Sequence, residues 1–296
     1  EDFGTVNRIG VLVPCVALAL VLALVVGQRL GVRGALLAYA GAHAVGMAAS
    51  LRAAGRSADG ARSGGHDEYA EPALRYGLKA NPGNLIALAN YRIDLYLLNL
   101  LASASAVGIY AAAVQIAEKL WLLSAAVSYV LLPRLASLHR AESERRRITP
   151  LMARWVLLAT FGLAAGVGVL GYPLIHLMGP RFAAAFPVLL WLLPGVALLA
   201  VARVVGADLA ARGRPELNVA ATLAAVAIEV PAVLLLVPRM GVPGAAAASS
   251  LAYGSHLVVV LLFYSRVTGV RPWTPLVPTG DDRRMAAALA ALLGGW

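Results

Sequence analysis

Polar residues in this chain come in clumps, and long apolar runs separate them. Eight runs stand between charged or Gly/Pro-marked breaks, at about residues 9–27, 31–52, 76–103, 107–133, 151–177, 183–205, 217–237 and 242–265. Each is close to or above the roughly 20 residues an α-helix needs to cross the hydrocarbon core. The predicted fold class is therefore all-α, a polytopic membrane helical bundle of about eight transmembrane helices. The third and fourth runs carry internal charge, and the turn between them, "SASAVG" from Ser103 to Gly108, is short enough for a helical hairpin. An even number of spans places both chain ends on one side.

Two of the runs open alike. Residues 31–40 read "GVRGALLAYA" and residues 241–250 read "GVPGAAAASS", agreeing at Arg29/Arg239, Gly31/Gly241, Val32/Val242, Gly34/Gly244 and Ala35/Ala245. A glycine at the turn supplies positive φ, and the small residues after it give a face on which helices approach closely in lipid. Six spans separate the two turns, so both face the same side and the duplication is parallel. A six-span unit then divides the chain into four parts. Residues 1–53 are the last two helices of an N-terminal lobe, and residues 54–75, rich in Gly, Ser and charge, are a cytoplasmic inter-lobe linker. Residues 76–266 are a six-helix C-terminal lobe, and 267–296 are a cytoplasmic tail with the start of a further helix. The first lobe is expected to be incomplete in this sequence, with four upstream spans outside it.

Composition agrees with the spans. Of 296 residues, 60% are hydrophobic and 14% charged, with mean hydropathy +0.77; a soluble domain has about 25% charged residues. The formal charge of +10 accompanies no basic reading helix and no aromatic stacking platform, so no nucleic-acid partner is expected. The arginines instead report orientation. Sixteen, within 8, 52–75, 134–147, 212–214 and 266–284, fall on one side of the spans, and four, Arg29, Arg33, Arg181 and Arg239, on the other. By the positive-inside rule the longer loops and both ends are expected in the cytoplasm, in a multi-pass protein of the cell (plasma or inner) membrane. The lone Cys15 can form no internal disulfide.

Charge inside the spans marks the candidate chemistry, because an ionisable side chain at mid-bilayer costs about 2.5–3.5 kcal/mol on insertion scales. In residues 81–103, "NPGNLIALANYRIDLYLLNLLAS", a helix puts Asn81, Arg92, Tyr96, Asn99 and Ser103 on one stripe, with Asn90 and Asp94 on another face. Arg92, Tyr96 and Asn99 read as lining a polar cavity. Arg92 neutralised by a neighbouring carboxylate for assembly is the competing reading, and Asp94 is equally an ion-pair or a coupling candidate. Gln115, Glu118 and Lys119 share one side of the next helix, and either Arg92 or Lys119 serves as the partner of Glu118. Glu229 lies two residues before Pro231, as a protonatable coupling site or a neutral, hydrogen-bonded group at a kink. Lys79, one turn into its helix, either reaches the cavity or snorkels to the interface. His176 and His256 have no metal-like partner at helical spacing, so no metal is expected. No nucleophile elbow, phosphate loop or zinc motif is present, which predicts no cofactor and no enzyme.

The stretch from Leu74 to Ala136, with its Arg-x-Asp in the membrane and "VGIYAAA" after a short turn, resembles the polysaccharide and oligosaccharide flippases of the multidrug/oligosaccharidyl-lipid/polysaccharide exporter superfamily. "GRPELN" leading to "LLLVPRMGVPGAAAASSLAY" is similar to that family's passage from the eleventh to the twelfth helix. The resemblance covers most of 1–266 and implies helices five to twelve of a two-lobed transporter. It further implies a function: flipping a polyprenyl-diphosphate-linked oligosaccharide from the cytoplasmic to the outer leaflet for cell-surface polysaccharide assembly, by rocking of the lobes. A coupling ion or the membrane potential would drive the step. Basic cavity residues of the family meet the diphosphate, and the matching positions are Arg92 and Lys79. Glu229 departs from the pattern, since relatives carry a neutral polar residue there. Two alternatives remain. A multidrug/cation antiporter of the same superfamily would require an acidic, cation-accepting cavity. A membrane glycosyltransferase or polymerase would require a large external loop, and the external loops here are a few residues long.

Overall fold

The structure, a computed structural model, describes residues 3–59, 92–137, 142–280 and 282. The described residues fold into helices joined by turns. These are α1 (Phe3–Val21), continued by a π-turn at Leu22–Gly27, then α2 (Gly31–Asp59), α3 (Ile93–Leu101) and α4 (Ala104–Ala117). A 3₁₀ turn at Glu118–Leu120 leads into α5 (Trp121–Ser137). There follow α6 (Glu142–Leu177), α7 (Ala185–Ala211), α8 (Glu216–Met240) and α9 (Val242–Thr268). Seven of the eight expected spans are helices long and apolar enough to cross a membrane. The other, 76–103, is described only from Arg92 onward. The chain is a multi-pass membrane protein.

Most helices outlast the runs that predicted them. The fifth run, 151–177, lies within α6, which starts nine residues earlier at Glu142, and the sixth, 183–205, continues in α7 to Ala211. Amphipathic and charged turns at these ends remain helical because they pack on one another. The fourth run is one span tightened at Glu118–Leu120, so it reads as α4 and α5 in series.

The chain divides into two compact units, Glu1–Gly77 and Leu78–Trp296. In the first, α1 and α2 form a hairpin with a small-residue seam. A Cβ on Gly46 would lie 2.5 Å from the Val13 side chain and one on Gly41 3.1 Å from Leu20, and Ala38 and Ala42 are fully buried. In the second, α7 is the central helix. It packs on α4, α5, α6 and α9, and buries residues all around its circumference, as a helix enclosed by others must. Helix α9 bridges α7 and α8, and α3 packs on α4, α8 and α9. At the α7–α9 crossing a Cβ on Gly195 would sit 2.5 Å from Ser250 Cα, so only glycine permits that approach. The outward positions of α5 and α6, among them Leu122, Val130, Leu158, Val169 and Leu177, are large, apolar and exposed, as a lipid-facing surface requires.

The two repeated turns perform the same steric task. Gly31 has φ +55° and Gly241 φ +65°. A Cβ on Gly34 would approach Leu24 O to 3.0 Å, and one on Gly244 would approach Leu236 O to 2.4 Å. Each helix thus leaves its turn by passing directly over the backbone of the helix before it. The matching arginines diverge, however. Arg239 is in the last turn of α8, whereas Arg29 lies between helices with φ 52°, a costly conformation for a side chain with a Cβ.

Candidate functional site

Helix α3 is short and closes early. Ser103 does not continue it; the Ser103 hydroxyl accepts the Ala106 N–H at 3.3 Å and caps α4. Arg92 precedes the first turn of α3 with φ −133° and ψ 0°. The expected stripe of Arg92, Tyr96, Asn99 and Ser103 is therefore broken at both ends, because the chain enters the helix after Arg92 and reverses before Ser103. Tyr96 and Asn99 remain exposed, while Asp94 and Leu98 are buried on the other side of α3.

The tight α3–α4 reversal brings Tyr110 against Asp94. Tyr110 Oη donates to Asp94 Oδ2 at 2.5 Å, and Leu95 N–H donates to Oδ1 at 2.7 Å. From α9, Ser249 Oγ lies 3.0 Å from Tyr110 Oη, 3.4 Å from Asp94 Oδ2 and 3.0 Å from Glu229 Oε1, the last projecting from α8. None of the four is more than 3% exposed. Four helices thus meet at one polar point in an apolar bundle. Counting back from Gly241, at about 1.5 Å per residue, Ser249 lies about 12 Å and Glu229 about 18 Å along their helices.

The donor count defines what the cluster can do. Asp94 accepts on both oxygens, the pattern of an ionised carboxylate. Ser249 has one hydroxyl proton, and Glu229 Oε1, Asp94 Oδ2 and the Ala245 carbonyl at 3.2 Å all compete for it. Glu229 Oε2 is buried and has no hydrogen-bond partner among the described residues. Two carboxylates around one hydroxyl cannot both stay charged in a dry interior unless a cation joins them. The arrangement is therefore suited to exchange a proton or a small cation.

Beside it, Arg92 Nη1 reaches Glu118 Oε1 at 3.4 Å, with the side chains 44% and 21% exposed. Of the two candidate partners for Glu118, the structure selects Arg92. Lys119 is exposed and lines, with Gln115, a groove between α4 and α6. Lys79 lies outside the described residues. Sequence reasoning passed over Tyr110 and Ser249. The only signal for them was a polar side chain in each of two otherwise small and apolar stretches, "VGIYAAA" and "GAAAASS".

Residues 11–187, more than half of the chain, match the family described as polysaccharide biosynthesis protein. The chain belongs to that family. Asp94 and Tyr110 lie inside the matched region, and Glu229 and Ser249 beyond it. Among solved structures, a mutant of the Vibrio cholerae MATE transporter VcmN has the same fold, with TM-score 0.65 and 17% identity over 89% of this chain. The polysaccharide biosynthesis chain spans 62% of the length of that transporter. No curated protein matches it. Family and fold together place it in the multidrug/oligosaccharidyl-lipid/polysaccharide exporter superfamily that the sequence resembles.

Proposed function

We propose that the protein is a flippase that carries a polyprenyl-diphosphate-linked oligosaccharide from the cytoplasmic to the outer leaflet of the cell membrane, for cell-surface polysaccharide assembly. The observation that carries this reading is the pairing of two unlike sites in a member of the polysaccharide biosynthesis family. The half-exposed cation Arg92 stands two residues from the buried Asp94, which shares Ser249 with Glu229. Arg92, with Tyr96 and Asn99 on the same helix, meets the diphosphate, and Lys79 is the second basic residue assigned to it. A guanidinium takes paired phosphate oxygens well, and its ion pair with Glu118 neutralises it while the site is empty. The Asp94–Glu229 pair takes up and releases the coupling proton or cation. Both sites bias the rocking of one lobe against the other, with the longer loops and both ends in the cytoplasm.

Deleting the full-length gene should leave lipid-linked oligosaccharide accumulated on the cytoplasmic leaflet, and an unchanged leaflet distribution rejects the proposal. Arg92→Ala should abolish rescue while the protein still accumulates in the membrane. A cation-antiporter reading is favoured by one observation, the acidic character of the Asp94–Glu229 pair. It predicts drug or dye efflux by the intact protein that Glu229→Gln abolishes, with leaflet distribution of the lipid unaffected.

A further inference from the structure

The shortest contacts of the buried cluster fall in one line across four helices. Glu229 Oε1 on α8 lies 3.0 Å from Ser249 Oγ on α9, which lies 3.0 Å from Tyr110 Oη on α4, which lies 2.5 Å from Asp94 Oδ2 on α3. Contacts outside the line are longer, Ser249 Oγ to Asp94 Oδ2 at 3.4 Å and to Ala245 O at 3.2 Å. The two inner members are hydroxyls, which donate and accept at once, and either of them can be the donor to the other. The two outer members are carboxyls, and in a dry interior one of them carries a proton. That proton orders the whole line. With it on Glu229 Oε1, Glu229 donates to Ser249, Ser249 to Tyr110, and Tyr110 to the Asp94 carboxylate. With it on Asp94 Oδ2, every bond runs the other way and Ser249 donates to the Glu229 carboxylate. Passing from the first state to the second breaks three O–H bonds and forms three, one at each contact of the line. Glu229 gives its proton to Ser249 Oγ, Ser249 gives its own to Tyr110 Oη, and Tyr110 gives its own to Asp94 Oδ2. No heavy atom has to move, and the single negative charge passes from Asp94 to Glu229.

We infer that Glu229, Ser249, Tyr110 and Asp94 form a proton wire that carries the coupling proton between α8 and α3. The wire rests on the reading of Asp94 and Glu229 as the coupling pair; it names the coupling ion as a proton and adds Tyr110 and Ser249 as relay residues. A hard cation gathers about six or more oxygens around itself. Here the oxygens bond one another in sequence, which is the arrangement a proton uses. The surroundings set which end holds it. Arg92 acts electrostatically on Asp94, with Glu118 on the same side, and the Leu95 N–H donates to Asp94 Oδ1. Tyr253 is the further titratable group beside Tyr110, and among the described residues Asp94 is the one charged group that Glu229 faces. Asp94 is therefore the better place for the negative charge while the diphosphate site is empty, and Glu229 for the proton. A diphosphate on the Arg92 guanidinium brings negative charge beside Asp94 and draws the proton along the line to it. Binding at the half-exposed site thereby changes the charge on α8.

The test is infrared spectroscopy of protonated carboxyl groups in the whole chain, held in lipid nanodiscs near neutral pH, in choline chloride and in sodium chloride, and then moved into heavy water. The wild type should show a protonated carboxyl band that sodium leaves unchanged and Glu229→Gln removes. Glu229 is 1% exposed, so its proton exchanges along the wire and out at Asp94, beside Arg92. Exchange should slow at least tenfold in Tyr110→Phe and in Ser249→Ala, each of which interrupts the line, and stay within about twofold of the wild type in Ser249→Thr, which keeps the hydroxyl. Purely structural roles would give the opposite sign, because loosening the cluster admits water and speeds exchange. If the Ser249 variants do not fold, Tyr110→Phe, which keeps the ring, decides. Arg92→Glu, which puts negative charge where the diphosphate is proposed to sit, should move the band to Asp94, recognised by its shift with isotope-labelled aspartate. No band in the wild type, or exchange unchanged or faster in every folded variant, overturns the proposal. Loss of the band in sodium assigns a metal cation to the site and overturns it too, as does a band that stays on Glu229 in Arg92→Glu. These readings need no transport. A wire found intact in a protein whose deletion leaves leaflet distribution unchanged fails the flippase reading alone, and the converse result fails the wire alone.

Discussion

Replacing Tyr110 by Phe removes one hydroxyl and keeps the ring, so it isolates the shortest contact in the polar cluster. Tyr110 is fully buried, and its Oη donates to Asp94 Oδ2 at 2.5 Å. The size of the loss reports the charge on Asp94. A neutral hydrogen bond between membrane helices averages about 0.6 kcal/mol and rarely exceeds about 1.7. A bond to a charged group contributes about 1.5–3 kcal/mol. Asp94 also accepts the Leu95 N–H on its other oxygen, the pattern of a carboxylate. Tyr110→Phe should therefore cost about 2 kcal/mol, charge-assisted hydrogen bonding being the larger class. For a unit of this size, that lowers the unfolding midpoint by about 4–8 °C. The measurement is thermal unfolding of the purified chain in bicelles for the wild type, Tyr110→Phe, Asp94→Asn and the double variant. The cycle should give a coupling of about 1.5 kcal/mol or more, since the two residues touch. A loss below about 0.5 kcal/mol, or an equal loss in the Asp94→Asn background, refutes the assignment of an ionised Asp94 bound by Tyr110.

Other perturbations test the frame around the site. Asp208 is fully buried and joins Arg145 at 2.6 Å and Arg212 at 3.1 Å. Asp208→Ala strands the buried Arg145, while Arg212 keeps Glu142 at 2.9 Å, and should destabilise by about 3–5 kcal/mol, read as loss of folded protein in detergent. At the repeated turn, Gly244→Ala forces a Cβ to 2.4 Å from Leu236 O, while one on Gly108 meets nothing within 4 Å. Gly244→Ala should cost about 1–3 kcal/mol by thermal unfolding and Gly108→Ala well under that. The segment after α9 is held on α6 by Arg154, whose Nε lies 2.8 Å from Asp282 Oδ2 and whose other nitrogens bond Thr274 O and Thr279 Oγ1. Burial alone would raise the Asp282 carboxyl, but Arg154 and the Thr279 donors outweigh it and hold it below the usual carboxylate value of 3.8. Its contribution is therefore complete above that value and lost as pH falls through the lower, folded one. Proteolysis or hydrogen exchange at 274–282 should be slow at pH 6, accelerate only below about pH 4, and be fast at both in Arg154→Ala.

What the sequence determined by itself is what local physics controls. Run length and hydropathy located the spans, since roughly 20 apolar residues have few options other than crossing the bilayer. The repeated Gly-Val-x-Gly located two turns, because positive φ and contact with a backbone carbonyl each exclude a Cβ, and both glycines meet those conditions. Tertiary structure decided the site. Helical periodicity gives the face a side chain occupies but not the helix that face meets. Asp94, Tyr110, Glu229 and Ser249 converge across separations of 16 to 155 residues, through a reversal at Ser103 and the crossing of α8 and α9. Arg92 and Glu118 were legible as candidates, and only packing chose between Arg92 and Lys119 as the partner.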